Sequence, residues 1–492
     1  MLVLRRRNVS RIITVGLMFV CFCYLLIVSR SINPQSTIDA AYYHIMAEQL
    51  ENGKGFTEPF VWHFLNDYSS LEHPIDYWMP LGIVLYYVAR ICYGVEGEVL
   101  LNIFIWSLLS VLVYKDIWAK SRSIICSAFT FCTMLFCGRY LFYLLTTDNI
   151  AFYALLGFVF FKTTGEGRSR WYVTGAVSGL IALMRIEGLL IAVFGGICEF
   201  FRFRKFKNLL GFVIVFLLVL SPWLIRNYRV LGNPWPSNSK AIFLADYNDM
   251  FCRDTSVSLE NYLEIGINDI VSQKVRGIWF AILNLVAAPG LFVMYPLWVL
   301  GLIAVWRQGG QYFLSIILFM VIFCGLVIPL QAEMGTALHV SAFFFPFFAV
   351  LNGLGLNKLV KRYKISLYCS LFIIMFIIAW SVFATYYSTV TLIEAYKETN
   401  APYEAMLKNL DLASRKVVSA IPVKIYLETR ASGVISCSRR AIEPIILAAD
   451  FACDAIIMDR RADGYKPLPE TEQWALVASN SMLQVFFRVE EP

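Results

Sequence analysis

The chain has 492 residues, of which 59% are hydrophobic and only 16% are charged. Soluble proteins average about 45–50% apolar and about 25% charged residues, so this composition excludes an ordinary soluble domain and indicates a membrane protein. The net charge of +7 lies mostly in short loops between apolar segments, which is typical of membrane topology and argues against nucleic-acid binding.

Six basic clusters predict which loops face the cytoplasm, because membrane proteins concentrate Lys and Arg there. They are Arg5, Arg6, Arg7 and Arg11; Lys115, Lys120 and Arg122; Lys162, Arg168 and Arg170; Arg202, Arg204, Lys205 and Lys207; Arg307; and Lys358, Lys361, Arg362 and Lys364. Only Asp116 and Glu166 oppose them in the same loops. We therefore predict a cytoplasmic N-terminus.

Eleven crossings connect these clusters, since a spanning helix needs about 17–25 mainly apolar residues and the chain must leave and return each time. The predicted spans are residues 12–28, 99–114, 123–145, 146–161, 171–184, 187–201, 209–226, 283–305, 311–330, 338–356 and 366–387. The first lacks a small-residue cleavage site, so we expect an uncleaved span rather than a signal peptide. The C-terminal tail is then extracytoplasmic.

The first outer loop, residues 30–98, is acidic. Counting the apolar stretch Tyr77–Tyr93 as a crossing would move Lys115–Arg122 outside, so we interpret it as a juxtamembrane helix. The loop before it holds seven acids against two bases, opposite in sign to the cytoplasmic loops. Asp39 is expected to open a helix after the N-cap Thr37, with an apolar stripe that suits the membrane interface.

The tail, residues 395–492, is predicted to form a small extracytoplasmic α/β domain beside a membrane domain of residues 1–394. Residues 416–420, 454–458 and 483–487 have the pattern of strands, and residues 443–451 that of a helix. Cys437 and Cys453 are the cysteines of this domain, so a disulfide between them is one hypothesis.

Ionisable residues collect at the outer ends of the predicted spans, where they are costly and often functional. Asp148 lies at one outer turn, Arg185 and Glu187 at the next, and Arg226 with Asn227 at the end of the seventh span. His339 is also on the outer side.

Each of these residues has a structural alternative. Asp39 could serve the helix dipole, Asp148 could cap a helix, Arg185 and Glu187 could form a local ion pair, and Arg226 could anchor lipid headgroups. A divalent cation on His63, Glu72, His73 and Asp39 is an alternative to ordinary loop structure, although their spacing has no zinc signature. The residues thus predict no definite metal site or cofactor.

The order of short motifs resembles the GT-C superfamily, the integral-membrane glycosyltransferases that use polyprenyl-phosphate sugars. Within it, the chain is most similar to bacterial protein mannosyltransferases and the lipid A aminoarabinose transferase. The matching pieces are Asp39-Ala40-Ala41-Tyr42-Tyr43, Gly53-Lys54-Gly55-Phe56-Thr57, His73-Pro74, Tyr77-Trp78-Met79-Pro80-Leu81, Thr147-Asp148-Asn149, Arg185-Ile186-Glu187-Gly188, Pro222-Trp223, Arg226-Asn227, Gly335-Thr336, His339, Ser341 and Pro346.

The resemblance implies an inverting transfer from a polyprenyl-phosphate sugar to an acceptor hydroxyl on protein, lipid or glycan. It implies Asp39 as the base that takes the hydroxyl proton and Asp148 as a second acid that organises the acceptor or a cation. Arg185, Arg226 or Lys240 would stabilise the departing phosphate. The same resemblance makes Tyr43, His73, Tyr77, Glu187, Asn227 and His339 substrate-binding candidates.

One position departs from the pattern, because many relatives carry two adjacent acids where this chain has Asp39-Ala40. This keeps a non-catalytic scaffold of the same fold as an alternative. A transporter or lipid flippase is the other alternative, but the chain has no clear internal repeat and its charges lie at outer helix ends rather than at mid-membrane. The similarity to bacterial proteins predicts a plasma-membrane location.

Overall fold

The computed structural model describes residues 2–165, 170–306, 310–363, 366–436, 443–460, 468 and 473–489. The chain forms two compact units. The first, here the helical unit, comprises residues 1–34, 79–226 and 271–393. The second, here the mixed unit, comprises residues 35–78, 227–270 and 394–492.

Apolar helices lie wholly or mostly in the helical unit. They are Leu2–Ser29, Leu81–Tyr93, Gly97–Ser121, Ile124–Leu135, Tyr140–Leu144, Ile150–Gly165, Trp171–Met184, Gly188–Phe203, Phe206–Leu231, Ile267–Ile282, Ala288–Gly290, Tyr295–Val305, Gly310–Leu326, Pro329–Glu333, Thr336–Tyr363 and Leu367–Leu407. A π-helical turn, Leu283–Ala287, joins the tenth of these helices to the eleventh. Among the described residues, six helices are long and apolar enough to cross a membrane, and seven shorter ones are apolar. The chain is an integral membrane protein.

The predicted span 283–305 is interrupted. The helical stretch that starts at Ile267 ends at Gly290, and Leu291 and Phe292 adopt positive φ values of 46° and 63°. A new helix, Tyr295–Val305, then begins with proline in its first turn. An apolar run does not reveal such a break, because hydropathy is insensitive to backbone direction. The predicted span 123–145 is likewise divided, into Ile124–Leu135 and Tyr140–Leu144.

The helix Thr336–Tyr363 is the core of the helical unit, because 89% of its most apolar stretch is buried. It packs on Tyr295–Val305 at very short range. A Cβ on Gly301 would lie 2.2 Å from the Leu351 carbonyl oxygen, and one on Gly355 would lie 1.9 Å from the Leu297 carbonyl oxygen. Small residues permit this approach, which is how helices associate where lipid supplies no hydrophobic driving force.

The mixed unit contains all seven strands of the described chain. They are β1 (Thr57–Glu58), β2 (His73–Pro74), β3 (Lys416–Ser419), β4 (Ser432–Ile435), β5 (Ala455–Asp459), β6 (Trp474–Ser479) and β7 (Leu483–Arg488). β1 and β2 pair with each other, and the other five form one sheet in the order β4-β3-β5-β7-β6. Its first three strands are parallel and its last two antiparallel to their neighbours.

Helices and the first outer loop complete the mixed unit. The helices are Ile38–Glu51, Leu259–Glu264, Pro422–Thr429 and Glu443–Asp450, with 3₁₀ turns Ser237–Phe243 and Tyr247–Phe251. Val61 adds to the edge of β4, since its N–H donates to Gly433 at 2.9 Å and its carbonyl accepts from Ile435 at 2.8 Å. The loop and the tail therefore share one sheet.

The α/β character predicted for the tail is confirmed. The three expected strands and the expected helix form at nearly the predicted positions. The sequence did not reveal β4, which has four residues, or β6, whose alternation is disturbed by a bulge between Leu476 and Ala478. Both are too short or irregular for a pattern of period two.

The cysteine hypothesis was wrong. Cys453 carries a free thiol, buried beside Val418 and Leu447 in a core of the mixed unit. Cys252 is disulfide-bonded instead. Cys437 lies outside the described residues. Proximity along the tail did not identify the bonded cysteine, because the mixed unit also recruits residues 227–270.

Candidate active site

Asp148 and His339 meet inside the helical unit. His339 Nε2 lies 2.9 Å from Asp148 Oδ2, and the Asp148 side chain is only 1% exposed. The Tyr143 ring lies against the imidazole with a centroid distance of 5.6 Å. The sequence proposed both residues for the site but did not pair them.

The backbone at Asp148 is held independently of its side chain. Its carbonyl oxygen accepts from Tyr86 Oη at 2.5 Å and from Asn102 Nδ2 at 3.3 Å, and Asn102 Nδ2 also donates to Thr146 at 2.8 Å. Asp148 Oδ1 is buried and has no hydrogen-bond donor among the residues described. The carboxylate is thus fixed through one oxygen and can accept a further hydrogen bond through the other.

Arg185 and Glu187 form a buried ion pair at a tight turn. Arg185 ends the helix Trp171–Met184 with extended backbone, and Glu187 is the N-cap position of the helix that begins at Gly188. Arg185 Nη2 lies 3.3 Å from Glu187 Oε1, and the two side chains are 5% and 8% exposed. A Cβ on Gly188 would come within 2.5 Å of the Ile181 backbone, so this turn requires glycine. A guanidinium carries five N–H donors in a planar fork, a geometry that suits an anion.

Arg226 lies in the helix Phe206–Leu231, which contains Pro222, and is the last residue of that helix assigned to the helical unit. Its guanidinium carbon lies 4.8 Å from the centroid of the Trp223 ring, a cation–π contact. Asn227 belongs to the mixed unit, where its Nδ2 donates to the Pro234 carbonyl at 3.4 Å.

Asp39 lies in the first turn of the helix Ile38–Glu51, as predicted. Thr37 is the N-cap and its Oγ1 accepts from the Ala40 N–H at 3.0 Å. Burial and then the Asp39 carboxylate raise the pKa of Tyr247 to about 12, so the phenol stays protonated beside the acid. The sequence missed Tyr247, which carries no motif and comes from a segment about 200 residues further along the chain.

The helix of Asp39 is buried around most of its surface and not only along the expected apolar stripe. Ala41, Tyr43, His44 and Ala47 are buried as well. The reason is that the helix packs on both β1 and the helix Pro422–Thr429. Ala40 is fully buried too. A second acid at this position would therefore be a buried charge, which is costly without a partner.

Tyr43 and Tyr77 belong to an aromatic cluster. Trp78 contacts both, with ring centroids 5.9 Å from Tyr43 and 5.0 Å from Tyr77. Tyr77 also contacts Trp62 at 4.6 Å and His63 at 5.1 Å. The cluster makes this part of the loop rigid.

His73 is part of a buried polar network. Its Nε2 lies 3.1 Å from the Phe60 carbonyl oxygen and 3.9 Å from Glu58 Oε2, and Glu58 Oε1 accepts from Tyr42 Oη at 2.6 Å. Burial lowers the pKa of His73, so the imidazole stays neutral near pH 7. The residue predicted to bind substrate therefore has a structural bond on its ring.

Asp76, which the sequence did not single out, is the centre of a neighbouring network. Its carboxylate lies 3.3 Å from His63 Nε2, accepts from Tyr68 Oη at 2.8 Å, and also accepts from Asn66. Burial alone would raise the pKa of Asp76, but the bonds from His63 and Tyr68 outweigh burial and hold it below its ordinary value.

The cation alternative on the first loop does not form. His63 is bonded to Asp76 and Glu72 is exposed, and within the described ranges His63, Glu72, His73 and Asp39 do not gather into one ligand set.

Lys240 is bonded within the mixed unit. Its Nζ donates to the Leu65 carbonyl and to Asn66 Oδ1, both at 2.7 Å. Lys240 and His73 line the same cavity.

The comparisons with known proteins identify the fold. No family model and no curated protein sequence matches the chain. Among solved structures, ArnT from Cupriavidus metallidurans in the apo state matches with a TM-score of 0.58 at 13% identity, over 98% of this chain and 98% of that chain. ArnT from the same organism bound to undecaprenyl phosphate matches with a TM-score of 0.57 at 13% identity, over 97% and 98%. The GT-C fold that the motifs predict is confirmed.

Proposed function

We propose that this protein is an inverting glycosyltransferase, which moves a sugar from a polyprenyl-phosphate donor to an acceptor hydroxyl on the extracytoplasmic side of the membrane. The observation that supports it most is the likeness, over nearly the whole chain, to a structure that holds undecaprenyl phosphate. This chain shares its fold with that structure. Asp39, Asp148, Arg185 and Arg226 are the acids and arginines to which the proposal gives roles.

The reaction requires one proton acceptor. As the acceptor oxygen forms its bond to the anomeric carbon, its proton passes to Asp39, and the bond from that carbon to the phosphate oxygen breaks. Asp39 is the predicted base because its carboxylate oxygens can accept the proton that the hydroxyl loses. Its side chain is also only partly buried, which leaves it accessible.

The leaving polyprenyl phosphate carries the electron pair of the broken bond and needs fixed positive charge. We assign this role to Arg185 and Arg226, since a guanidinium matches phosphate oxygens in a bidentate manner. Lys240, the third predicted candidate, already donates to two oxygens and is a weaker choice.

Asp148 has a positioning role in this proposal. Its Oδ2 is held by His339, and Oδ1 is the atom that would accept a hydrogen bond from the acceptor or bind a divalent cation. The proposal therefore places general-base chemistry on Asp39 and orientation on Asp148.

We also propose a bacterial plasma membrane with the mixed unit outside the cytoplasm. The disulfide at Cys252 supports this side, because disulfides persist in oxidising compartments and are rare in the cytosol. The acidic sign of the first outer loop agrees with it.

The test compares Asp39→Asn with wild type for sugar transfer from a synthetic polyprenyl-phosphate sugar. We expect a loss of about 10²–10⁴-fold, the usual contribution of a general base. Glu51→Gln, an exposed acid at the other end of the same helix, is the matched control and should keep full activity.

Full activity of a folded Asp39→Asn variant would refute the role of Asp39. Adding EDTA to the wild-type reaction tests the divalent cation, and unchanged turnover would remove it from the mechanism. Movement of the intact donor across proteoliposomes without transfer would favour the flippase alternative.

A further inference from the structure

A polar cavity of about 460 Å³ lies wholly within the mixed unit. Its walls are two chain segments, residues 66–76 of the first outer loop and residues 230–240. The volume falls in the range of about 300–1,000 Å³ that is typical of small-molecule sites. None of the predicted catalytic acids lines it.

The two walls are bonded to each other, so the cavity is pre-formed. The Ser237 N–H donates to the Asp76 carbonyl at 2.7 Å, and Ser237 Oγ donates to the same oxygen at 3.3 Å. Lys240 Nζ spans the gap to Leu65 and Asn66. Binding in such a cavity costs little ordering entropy.

The charge of the lining excludes an anionic ligand. Asp67, Glu72 and Asp76 line the cavity against a single lysine, Lys240, whose ammonium group already has two oxygen acceptors. His73 contributes no charge near pH 7, because burial lowers its pKa. A phosphate or carboxylate here would face net repulsion, whereas a neutral or cationic group would not.

Trp235 provides an exposed aromatic face at the same cavity. Its side chain is 47% exposed, and it lies between Pro234 and Pro236, whose rings restrict the backbone. The backbone N–H of Trp235 donates to Asn233 Oδ1 at 3.0 Å, which fixes the loop further. An indole presented rigidly beside carboxylate, amide and hydroxyl groups matches a sugar ring, which has an apolar C–H face and a rim of hydroxyls.

We propose that this cavity binds a saccharide unit of the acceptor that is uncharged or carries an amine. That the sugar belongs to the acceptor rests on the proposed function. Binding of a sugar in the cavity does not depend on transfer. Trp235 stacks on the sugar face, and Asp67 and Glu72 accept hydrogen bonds from its hydroxyl or ammonium groups.

Calorimetry on the full-length protein in detergent tests this proposal with three probes. They are N,N′-diacetylchitobiose, which is neutral, glucosamine, which is cationic, and glucose 6-phosphate, which is anionic. We expect saturable binding of the first two and none of the third. Trp235→Ala should weaken chitobiose binding about tenfold or more, as truncation of a central tryptophan commonly does.

Trp279→Ala is the matched control, because Trp279 is 57% exposed on a helix that contributes nothing to the cavity. It should bind like wild type. The double variant Asp67→Asn/Glu72→Gln should lose affinity for glucosamine more than for chitobiose, since it removes charge and retains shape.

Preferential binding of glucose 6-phosphate, or equal chitobiose affinity in wild type and Trp235→Ala, would overturn the proposal. A parallel assay of sugar transfer separates the two ideas. Transfer without saccharide binding at the cavity refutes only this inference, and saccharide binding through Trp235 without any transfer refutes only the proposed function.

Discussion

The contact between His339 and Asp148 allows a quantitative test of the positioning role. Asp148→Asn keeps the size of the side chain and removes its charge. The bond of 2.9 Å to His339 Nε2 then loses the charge on its acceptor. Hydrogen bonds to charged groups contribute about 1.5–3 kcal/mol, and each 1.36 kcal/mol is a factor of ten in rate. If the transition state needs the full bond, kcat/KM should fall by about 10- to 150-fold.

The assay is transfer from a synthetic polyprenyl-phosphate sugar, with melting temperature and size-exclusion profile measured on each variant. Asp116→Asn is the control, since Asp116 is 8% exposed and accepts from Lys120 at 2.6 Å and Lys162 at 2.8 Å. It tests the removal of a similarly paired aspartate on the predicted cytoplasmic side of the same unit, and transfer should persist.

A double-mutant cycle with His339→Ala isolates the pairwise contribution. If the two side chains act only through their mutual hydrogen bond, kcat/KM of the double variant should be little lower than that of either single variant. The interaction free energy of the cycle should then be about 1.5–3 kcal/mol. Strictly additive losses, or full kcat/KM in folded Asp148→Asn, would refute the reasoning.

Three further predictions concern stability and topology. Reduction or Cys252→Ser should lower the free energy of unfolding by about 2–5 kcal/mol in thermal or denaturant unfolding, and reductant should cause no further loss in the Cys252→Ser variant; equal stability of oxidised and reduced wild-type protein would contradict this. Burial lowers the pKa of His73, so its neutral form is favoured in the folded state and stability should fall as pH drops through about 6.5, the unfolded value. His73→Gln should flatten that part of the profile of melting temperature against pH, and an unchanged slope would contradict the assignment. The depressed pKa of Asp76 adds a second loss at lower pH, as pH falls below its unfolded value of about 3.9. Alkaline phosphatase fused after Val489 should be active, and a fluorescent protein that folds only in the cytoplasm should not fluoresce when fused at the same position. The reverse pattern would refute the predicted extracytoplasmic location of the tail.

Local chemistry accounts for the features that could be predicted. Thr37 before Asp39 specifies a helix start through neighbouring atoms alone, so the N-cap and the helix form as expected. The strands at Lys416–Ser419 and Ala455–Asp459 are apolar runs bounded by turns, and they are confirmed. The GT-C fold was recognisable because several short motifs keep their order along the chain.

Long-range contacts account for what was missed. His339 and Asp148 are 191 residues apart in sequence, and no local pattern joins an imidazole to a carboxylate over that distance. Tyr247, the disulfide at Cys252 and the cavity wall at residues 230–240 all depend on how residues 227–270 join the mixed unit. The break after Gly290 depends on backbone dihedrals that hydropathy does not encode.

The amino-acid sequence by itself determined that the chain is a helical membrane protein with a small α/β tail, because lipid forces apolar segments to satisfy their backbone hydrogen bonds as helices. It also determined which acids and arginines were worth examining. Only the tertiary structure decided that Asp148 is bonded to His339, that Lys240 is bonded to Leu65 and Asn66, and that Trp235 lines a polar cavity. These are relations between distant segments, and they exist only once packing has brought those segments together.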